Sequence, residues 1–383
     1  MAAQVLAESG VAVTVVEHQA SVGRKFLLAG RGGLNITHSE PTAALLDRYG
    51  AATAWLTAAI EAFDADALRS WCADMGQPTF VGSSARVFPE AFRAAPLLRA
   101  WLRRLADLGV VIETRTRWAG WDDDGALRVI DSDGGERSIG ADVVVFALGG
   151  ASWPRVGSDG GWVELFRKHG IDVTPLLAAN CGVVVEWTQT FADRFAGTPL
   201  KNVAVVVGDH AVRGDPVVTS SGLEAGPVYA HSTALRLDGA QMTIDLFPDL
   251  PVEKLVDRFA KKQRPKDSLS TWMRRCAMTD VGLGLVREAT GNAVPRDPAG
   301  LAELVKAVPV AVEGPMPIER AISTSGGIAV AELDGSFMLR AMPGTFAVGE
   351  MLDWEAPTGG YLLQACFSTA VTAAQSAITL LDL

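Results

Sequence analysis

The chain of 383 residues carries a net charge of −10, with 49% hydrophobic and 20% charged residues. That balance excludes a disordered or fibrous chain, and the length predicts two or three globular modules. The acidic excess argues against a nucleic acid held by a general electrostatic field, while leaving room for a local basic groove.

From the N-terminus, residues 1–10 read as a helix entered in mid-element and stopped at Gly10; residues 11–16 then form a short β-branched strand closed by Glu17. In a Rossmann-type βαβ unit the acid after the second strand binds the adenosine ribose, about 20 residues beyond a G-x-G-x-x-G turn. Gly10 is the only glycine before Glu17. The first strand and its phosphate-binding turn are therefore expected upstream of residue 1, and a chain starting at Met1 is expected to hold its dinucleotide weakly or not at all. Residues 23–35 read as a glycine-rich, cationic loop. Helical spacing follows over residues 43–73 and 95–108, with a strand pair in residues 77–89 and a further strand at 110–113. Residues 117–121, 126–131 and 136–139, separated by DDDG and DSDGG, have the pattern of a β-meander. The aspartates Asp122–Asp124 read as a hairpin turn rather than a metal loop. The apolar run 142–148 suits a parallel strand covered on both faces.

The chain then becomes β-rich over 181–250 and helical over 251–314, where the basic run Lys261–Lys266 reads as a solvated helix end. Beyond 315 the α/β character returns, with a Gly-Gly turn at 323–327, a strand at 345–348 and a final helix from Gly360 to Leu380. The expected class is α/β: a discontinuous Rossmann-like domain, residues 1–180 and 315–383, interrupted by an inserted domain, 181–314. Four cysteines form no C-x-x-C pair, which weighs against zinc or a disulfide. No apolar run reaches the roughly 20 residues of a membrane span, and no secretory signal is present, so a cytoplasmic protein is expected.

Three glycine-containing clusters would have to converge in a dinucleotide site. Glu17 with residues 23–35 offers close backbone approach and the cations Arg24, Lys25 and Arg31, equally the makings of an ordinary surface loop. The segment VVVFALGG (143–150) places Gly149-Gly150 beyond a strand's carboxyl end, where open α/β sheets bind ligands, or is a plain tight turn. The most specific is GTFAVGEMLDWEAPTGGYLLQ (344–364). There Glu350 can bind sugar or ribityl hydroxyls, and Gly359-Gly360 can aim helix N-terminal N–H groups at an electron-rich edge such as a flavin pyrimidine.

These clusters resemble the YhiN/BaiN-like flavoproteins, FAD- and NAD(P)-dependent oxidoreductases of the glutathione-reductase-type FAD fold. The resemblance is carried by VTVVEHQASVGRKFLLAGRGGLNITHSE (13–40), ALGGASWPRVGSDGGW (147–162), TSSGLEAGPVY (219–229), TSGGI (324–328) and GEMLDWEAPTGGYLLQACFSTA (349–370). It implies that Glu17 binds the adenosine ribose, and that Arg24, Lys25, Arg31, Gly32 and Gly33 lie along the phosphates and flavin, with Asn35 nearby. It places Ala147 and Gly149 at the adenine side, Glu350 on the ribityl chain, and Gly360, Tyr361 and Leu362 at the isoalloxazine edge. Leu362 stands where many relatives have asparagine, which leaves only a backbone contact there. Relatives also begin with a strand and a GGGPAG-type turn ahead of the position of Met1.

The implied activity is NAD(P)H-linked hydride transfer through FAD to or from a small organic substrate, at a C=C bond. No second glycine fingerprint and no redox cysteine pair is present, and the five histidines do not cluster, so no catalytic acid, base or metal ligand is assigned. Neither nucleic acid nor membrane is expected as a partner, and the oligomeric state is open. Two other readings stand beside this one: a flavoprotein fragment without FAD or activity, and a flavin-binding regulatory module.

Overall fold

The computed structural model describes residues 1–30, 32–237 and 239–382. Two compact units emerge, Met1–Leu177 with Ser323–Leu383, and Ala178–Ile322. The discontinuous unit is mixed α/β. Thr14–Glu17 pairs in parallel with Val111–Thr114, and Val144–Phe146 pairs in parallel with Thr345–Ala347. Parallel partners need crossover connections; the first of these contains the amphipathic helix Ala94–Asp107, whose Leu97, Leu98 and Leu105 are buried. Phe346 and Ala347 are completely buried, whereas in the run expected to be covered on both faces only Phe146 is buried and Val144 and Val145 are half-buried. Glu17 ends the first pair and Glu350 follows the second by three residues, so both acids leave the carboxyl ends of parallel strands.

The final helix, Tyr361–Leu380, is buried around most of its circumference. Its alanines 365, 370, 373, 374 and 377 are all buried, and small side chains allow close approach by the helices Ala2–Glu8 and Thr53–Ala62. The meander forms as Arg117–Trp121, Leu127–Ile130 and Glu136–Ile139. Asp122 Oδ1 accepts the N–H groups of Asp124 and Ala126 at 3.1 and 2.8 Å, which explains the aspartates as turn formers. Among the described residues no cluster could hold a metal ion, and no helix is long and apolar enough to cross a membrane.

Two local expectations are corrected. Residues 23–35 are not all loop: Arg24–Ala29 is helical, because RKFLLA is a run of good helix formers entered from Gly23 in the left-handed region. Ser323–Ile328 is a strand rather than a turn, paired with Val173–Ala179. A Cβ on Gly326 would lie 2.1 Å from the Pro175 carbonyl oxygen, so this glycine admits a neighbouring backbone instead of reversing the chain.

The second unit holds two four-stranded sheets. Its helices Val252–Lys262, Leu269–Arg275, Asp280–Ala289 and Pro298–Lys306 follow, the last three capped by the side chains of Ser268, Thr279 and Asp297. Three short helices, Gln189–Phe195, Gly226–Ala230 and Ser232–Leu235, interrupt the stretch read as β-rich. The compact units divide a few residues outside the expected boundaries. Gly314–Pro315 pairs with Val183–Val184, which ties residues up to 322 to the insert.

Candidate cofactor site

The discontinuous unit brings segments from four parts of the chain around Lys25. Its ammonium lies 2.6 Å from Glu350 Oε2, 2.7 Å from Ser152 Oγ and 3.3 Å from Ser158 Oγ. The other Glu350 oxygen accepts the Thr324 N–H at 3.0 Å. Glu350 is buried and depends on these partners, because an uncompensated carboxylate there would carry a heavy desolvation cost. The helix Arg24–Ala29 points Lys25 inward, while Arg24 is half-buried with no acid partner among the described residues. Gly149 belongs to the same spot: a Cβ there would lie 3.3 Å from Ser158 Oγ and 3.9 Å from Glu350 Oε2. Gly149 and Glu350, implied to serve opposite ends of the cofactor, thus lie together, while Ala147 is exposed.

A second focus is the start of the final helix. Gly360 has φ +95° and presses on strand Thr37–His38, its Cβ position only 2.6 Å from the Thr37 backbone nitrogen. No side chain caps the helix, and the first-turn N–H groups of Tyr361, Leu362 and Leu363 have no acceptor among the described residues. Thr37 Oγ1 and, two residues upstream, Asn35 Oδ1 are buried with no hydrogen-bond partner. Each such atom costs about 1–3 kcal/mol unless a ligand or water satisfies it. Free donors beside free acceptors fit a flavin's pyrimidine edge, which presents carbonyl acceptors and an N–H donor. On this chemistry the residues present fit FAD. Leu362 is half-buried and packs with the core, leaving its backbone as the available contact.

Tyr361 is held rigidly. Its hydroxyl donates to Glu40 Oε1 at 2.7 Å, Arg48 donates to both Glu40 oxygens at 3.2 and 2.9 Å, and Tyr49 donates to the Tyr361 carbonyl at 2.8 Å. Arg48 holds the Glu40 carboxyl below its ordinary value, whereas burial, then Glu40 itself, raises the Tyr361 hydroxyl. His38 stacks on Tyr361 with ring centroids 5.2 Å apart. The Glu40 N–H donates to its Nδ1, so the ring proton sits on Nε2, facing the Ser84 carbonyl at 3.1 Å.

Glu17 lies at the end of its strand, one oxygen accepting the Gln19 N–H at 2.8 Å. Gly157 adjoins the neighbouring His18, which brings the 150–161 loop to this acid. Gly33, at φ +108°, lies against the Phe92 ring, Gly32 is exposed, and Arg31 lies outside the described residues. Sequence reasoning missed Ser152, Ser158, Thr324, Glu40 and Arg48 as site residues. All but Arg48 sit inside the quoted motifs, but nothing in their spacing marked them as partners of Lys25 and Tyr361.

A sequence profile of the HI0933-like protein Rossmann domain matches residues 1–376. The chain belongs to the HI0933-like family. It is an FAD-dependent oxidoreductase with a Rossmann-type cofactor domain. This HI0933-like chain is 22% identical over 393 residues to the 3-dehydro-bile acid delta(4,6)-reductase of Clostridium scindens, a match covering 95% of this chain and 92% of that protein. It is 25% identical over 253 residues to the ribosomal RNA dihydrouridine synthase of Escherichia coli, covering 63% and 62%. Among solved structures, 3-ketosteroid delta1-dehydrogenase from Sterolibacterium denitrificans matches with TM-score 0.53 at 12% identity, covering 99% of this chain and 97% of that one. The 3-ketosteroid-delta4-(5alpha)-dehydrogenase of Rhodococcus jostii matches with TM-score 0.51 at 17% identity, covering 98% and 93%. At such identities these structures speak for the fold alone.

Cys366 adjoins Gly349 but forms no disulfide, and burial, then the Glu350 charge, pushes its thiol up to about 12. Burial does the same to Cys72. Thiols so far from ionisation are poor nucleophiles. A chromogenic disulfide reagent at neutral pH is therefore expected to leave all four cysteines of the folded protein unmodified and to titrate four after denaturation. Fast labelling of Cys366 in the folded protein would contradict this.

Proposed function

We propose that this HI0933-like chain binds FAD between Lys25–Glu350 and the start of the final helix. There it takes reducing equivalents from NADH or NADPH and saturates a C=C bond conjugated to a carbonyl in a small organic molecule, or runs the reverse. The observation that carries the site is that helix N–H groups without acceptors follow Gly360, which lies against Thr37, while Thr37 Oγ1 and Asn35 Oδ1 are buried without partners. When bound, FAD supplies the hydride transfer between nicotinamide and substrate. The chain's own part is positioning. Lys25, with Arg24 beside it, would meet anionic or hydroxyl oxygens. Glu350, held by Lys25 at 2.6 Å, would accept from ribityl hydroxyls, and Glu17 would accept from the adenosine ribose. The positive end of a 20-residue helix would favour negative charge at the pyrimidine edge on reduction. The Tyr361–Glu40–Arg48 bonds hold that turn in place.

The substrate class rests on two relatives, a 3-dehydro-bile acid delta(4,6)-reductase and a ribosomal RNA dihydrouridine synthase, whose names describe adding hydrogen across C=C bonds. A conjugated carbonyl makes the distal carbon electrophilic toward hydride, so one chemistry serves both. The cytoplasm is the setting we propose, given four cysteines without a disulfide.

The test is anaerobic. FAD-loaded protein should be bleached by NADH or NADPH, then reoxidised by a cyclic conjugated enone with formation of the saturated ketone. Bleached flavin that only oxygen reoxidises, across steroid enones and simple cyclic enones alike, would remove the proposed substrate class.

A further inference from the structure

Besides its free N–H groups, the start of the final helix carries a full charge. Glu40 stands three residues beyond Thr37, and its side chain keeps only 11% of its exposure. The Tyr361 hydroxyl donates to it at 2.7 Å. Tyr361 is also the first residue of the helix, so the carboxylate lies one tyrosine side chain from the N–H groups offered to the pyrimidine edge. Glu40 accepts none of those N–H groups among the described residues; its oxygens are taken by Tyr361 and Arg48.

Arg48 decides how much of that charge is felt. It ends the helix Thr42–Asp47 and closes a two-bond fork on Glu40 at 3.2 and 2.9 Å. His38 lies 3.6 Å from Glu40 Oε1, but its Nδ1 accepts the Glu40 N–H and therefore carries no proton. Lys25, the cation of the other focus, is bound to Glu350 at 2.6 Å. Among the described residues Arg48 is thus the only full positive charge on Glu40. Its weight follows from magnitudes: a helix start carries about half a positive charge, which a bare carboxylate would outweigh. With Arg48 in place the pair is neutral and the helix end keeps its sign.

We infer that Arg48, acting through Glu40, sets how strongly this site prefers reduced over oxidised FAD, and with it the flavin's potential. This role rests on the FAD site proposed at the helix start. Reduction by NADH or NADPH transfers a hydride, two electrons and one proton, and leaves the oxidised nicotinamide. The flavin thereby gains one negative charge. A bare Glu40 would repel that charge, whereas the neutral Arg48–Glu40 pair leaves the helix end free to favour it. A merely structural clamp would hold both forms of FAD alike. Neither residue is assigned contact with the reacting atoms, so both are positioning residues.

The experiment is anaerobic equilibrium dialysis of the full chain against oxidised FAD and, separately, against dithionite-reduced FAD. The ratio of the two Kd values fixes the potential relative to free FAD, a tenfold change being about 30 mV for a two-electron couple. In Arg48→Met the preference for reduced FAD should fall about tenfold, the order expected of a unit charge in a partly solvated site. Arg48→Lys should stay within about threefold of the parent, because it keeps the charge while losing the fork. Glu40→Gln should raise the preference for reduced FAD. Glu40→Gln/Arg48→Met, again without net charge, should return to within about threefold of the parent. Partial unfolding lowers both affinities alike and cancels in the ratio. An Arg48→Met ratio within about threefold of the parent, or a double variant as low as Arg48→Met, overturns the assignment of Arg48 and leaves the FAD site standing. No binding of either form by the parent removes both.

Discussion

Lys25→Met is expected to destabilise the discontinuous unit by roughly 3 kcal/mol, the low end of the range for removing one partner of a buried ion pair. The low end applies because the Lys25 side chain keeps 26% of its exposure while Glu350 keeps 7%. Removing the ammonium strands a buried carboxylate, and Ser152 and Ser158 lose an engaged donor at the same time. Glu350→Gln should cost less, since Lys25 can still reach solvent. The double variant should recover part of the loss, a coupling of about 1–3 kcal/mol between contacting residues. Urea unfolding of the four proteins measures this directly. A Lys25→Met midpoint within about 0.5 kcal/mol of the parent would show that the pair holds nothing together.

Gly360→Ala is expected to be as damaging, at about 2–4 kcal/mol, and to weaken FAD binding at least ~10-fold. A methyl group there would meet the Thr37 nitrogen, Cα and carbonyl carbon at 2.6–2.7 Å, all backbone atoms that cannot rotate away. The strained φ of +95° adds its own cost. Gly109→Ala is the matched control: its φ is +79°, yet nothing lies within 4 Å of its Cβ position. It should lose only about 1 kcal/mol and keep its flavin affinity. Equal losses in the two variants would mean that the contact with Thr37 does not position the helix start.

Much of this fold was legible in local pattern. The parallel strands announced themselves as β-branched apolar runs, the meander by its Asp-Gly turns, and the final helix by Gly-Gly ahead of an alanine-rich stretch. Errors fell where glycine has two uses. In TSGGI it permits close approach of another backbone, and periodicity cannot tell that from a turn. In residues 23–35 the glycines concealed a helix, because a six-residue stretch is too short to show a repeat. Individual site residues could be named from motifs, but their partnerships could not. Lys25 and Glu350 are separated by 325 positions, and Tyr361 and Glu40 by 321. Only tertiary structure shows that the lysine belongs to the acid, or that Gly360 at the helix start lies against the backbone of Thr37.

The central claim is that one FAD binds at the Lys25–Glu350 pair and the start of the final helix. Titrating the purified chain with FAD, followed by flavin fluorescence and by counting bound flavin at saturation, tests it most directly. One FAD per chain at saturation is expected, however weak the affinity of the parent, with that affinity reduced a further ~10-fold or more in Lys25→Met and Gly360→Ala and unchanged in Gly109→Ala. No saturable binding by the parent, or binding that ignores both site variants, would contradict it.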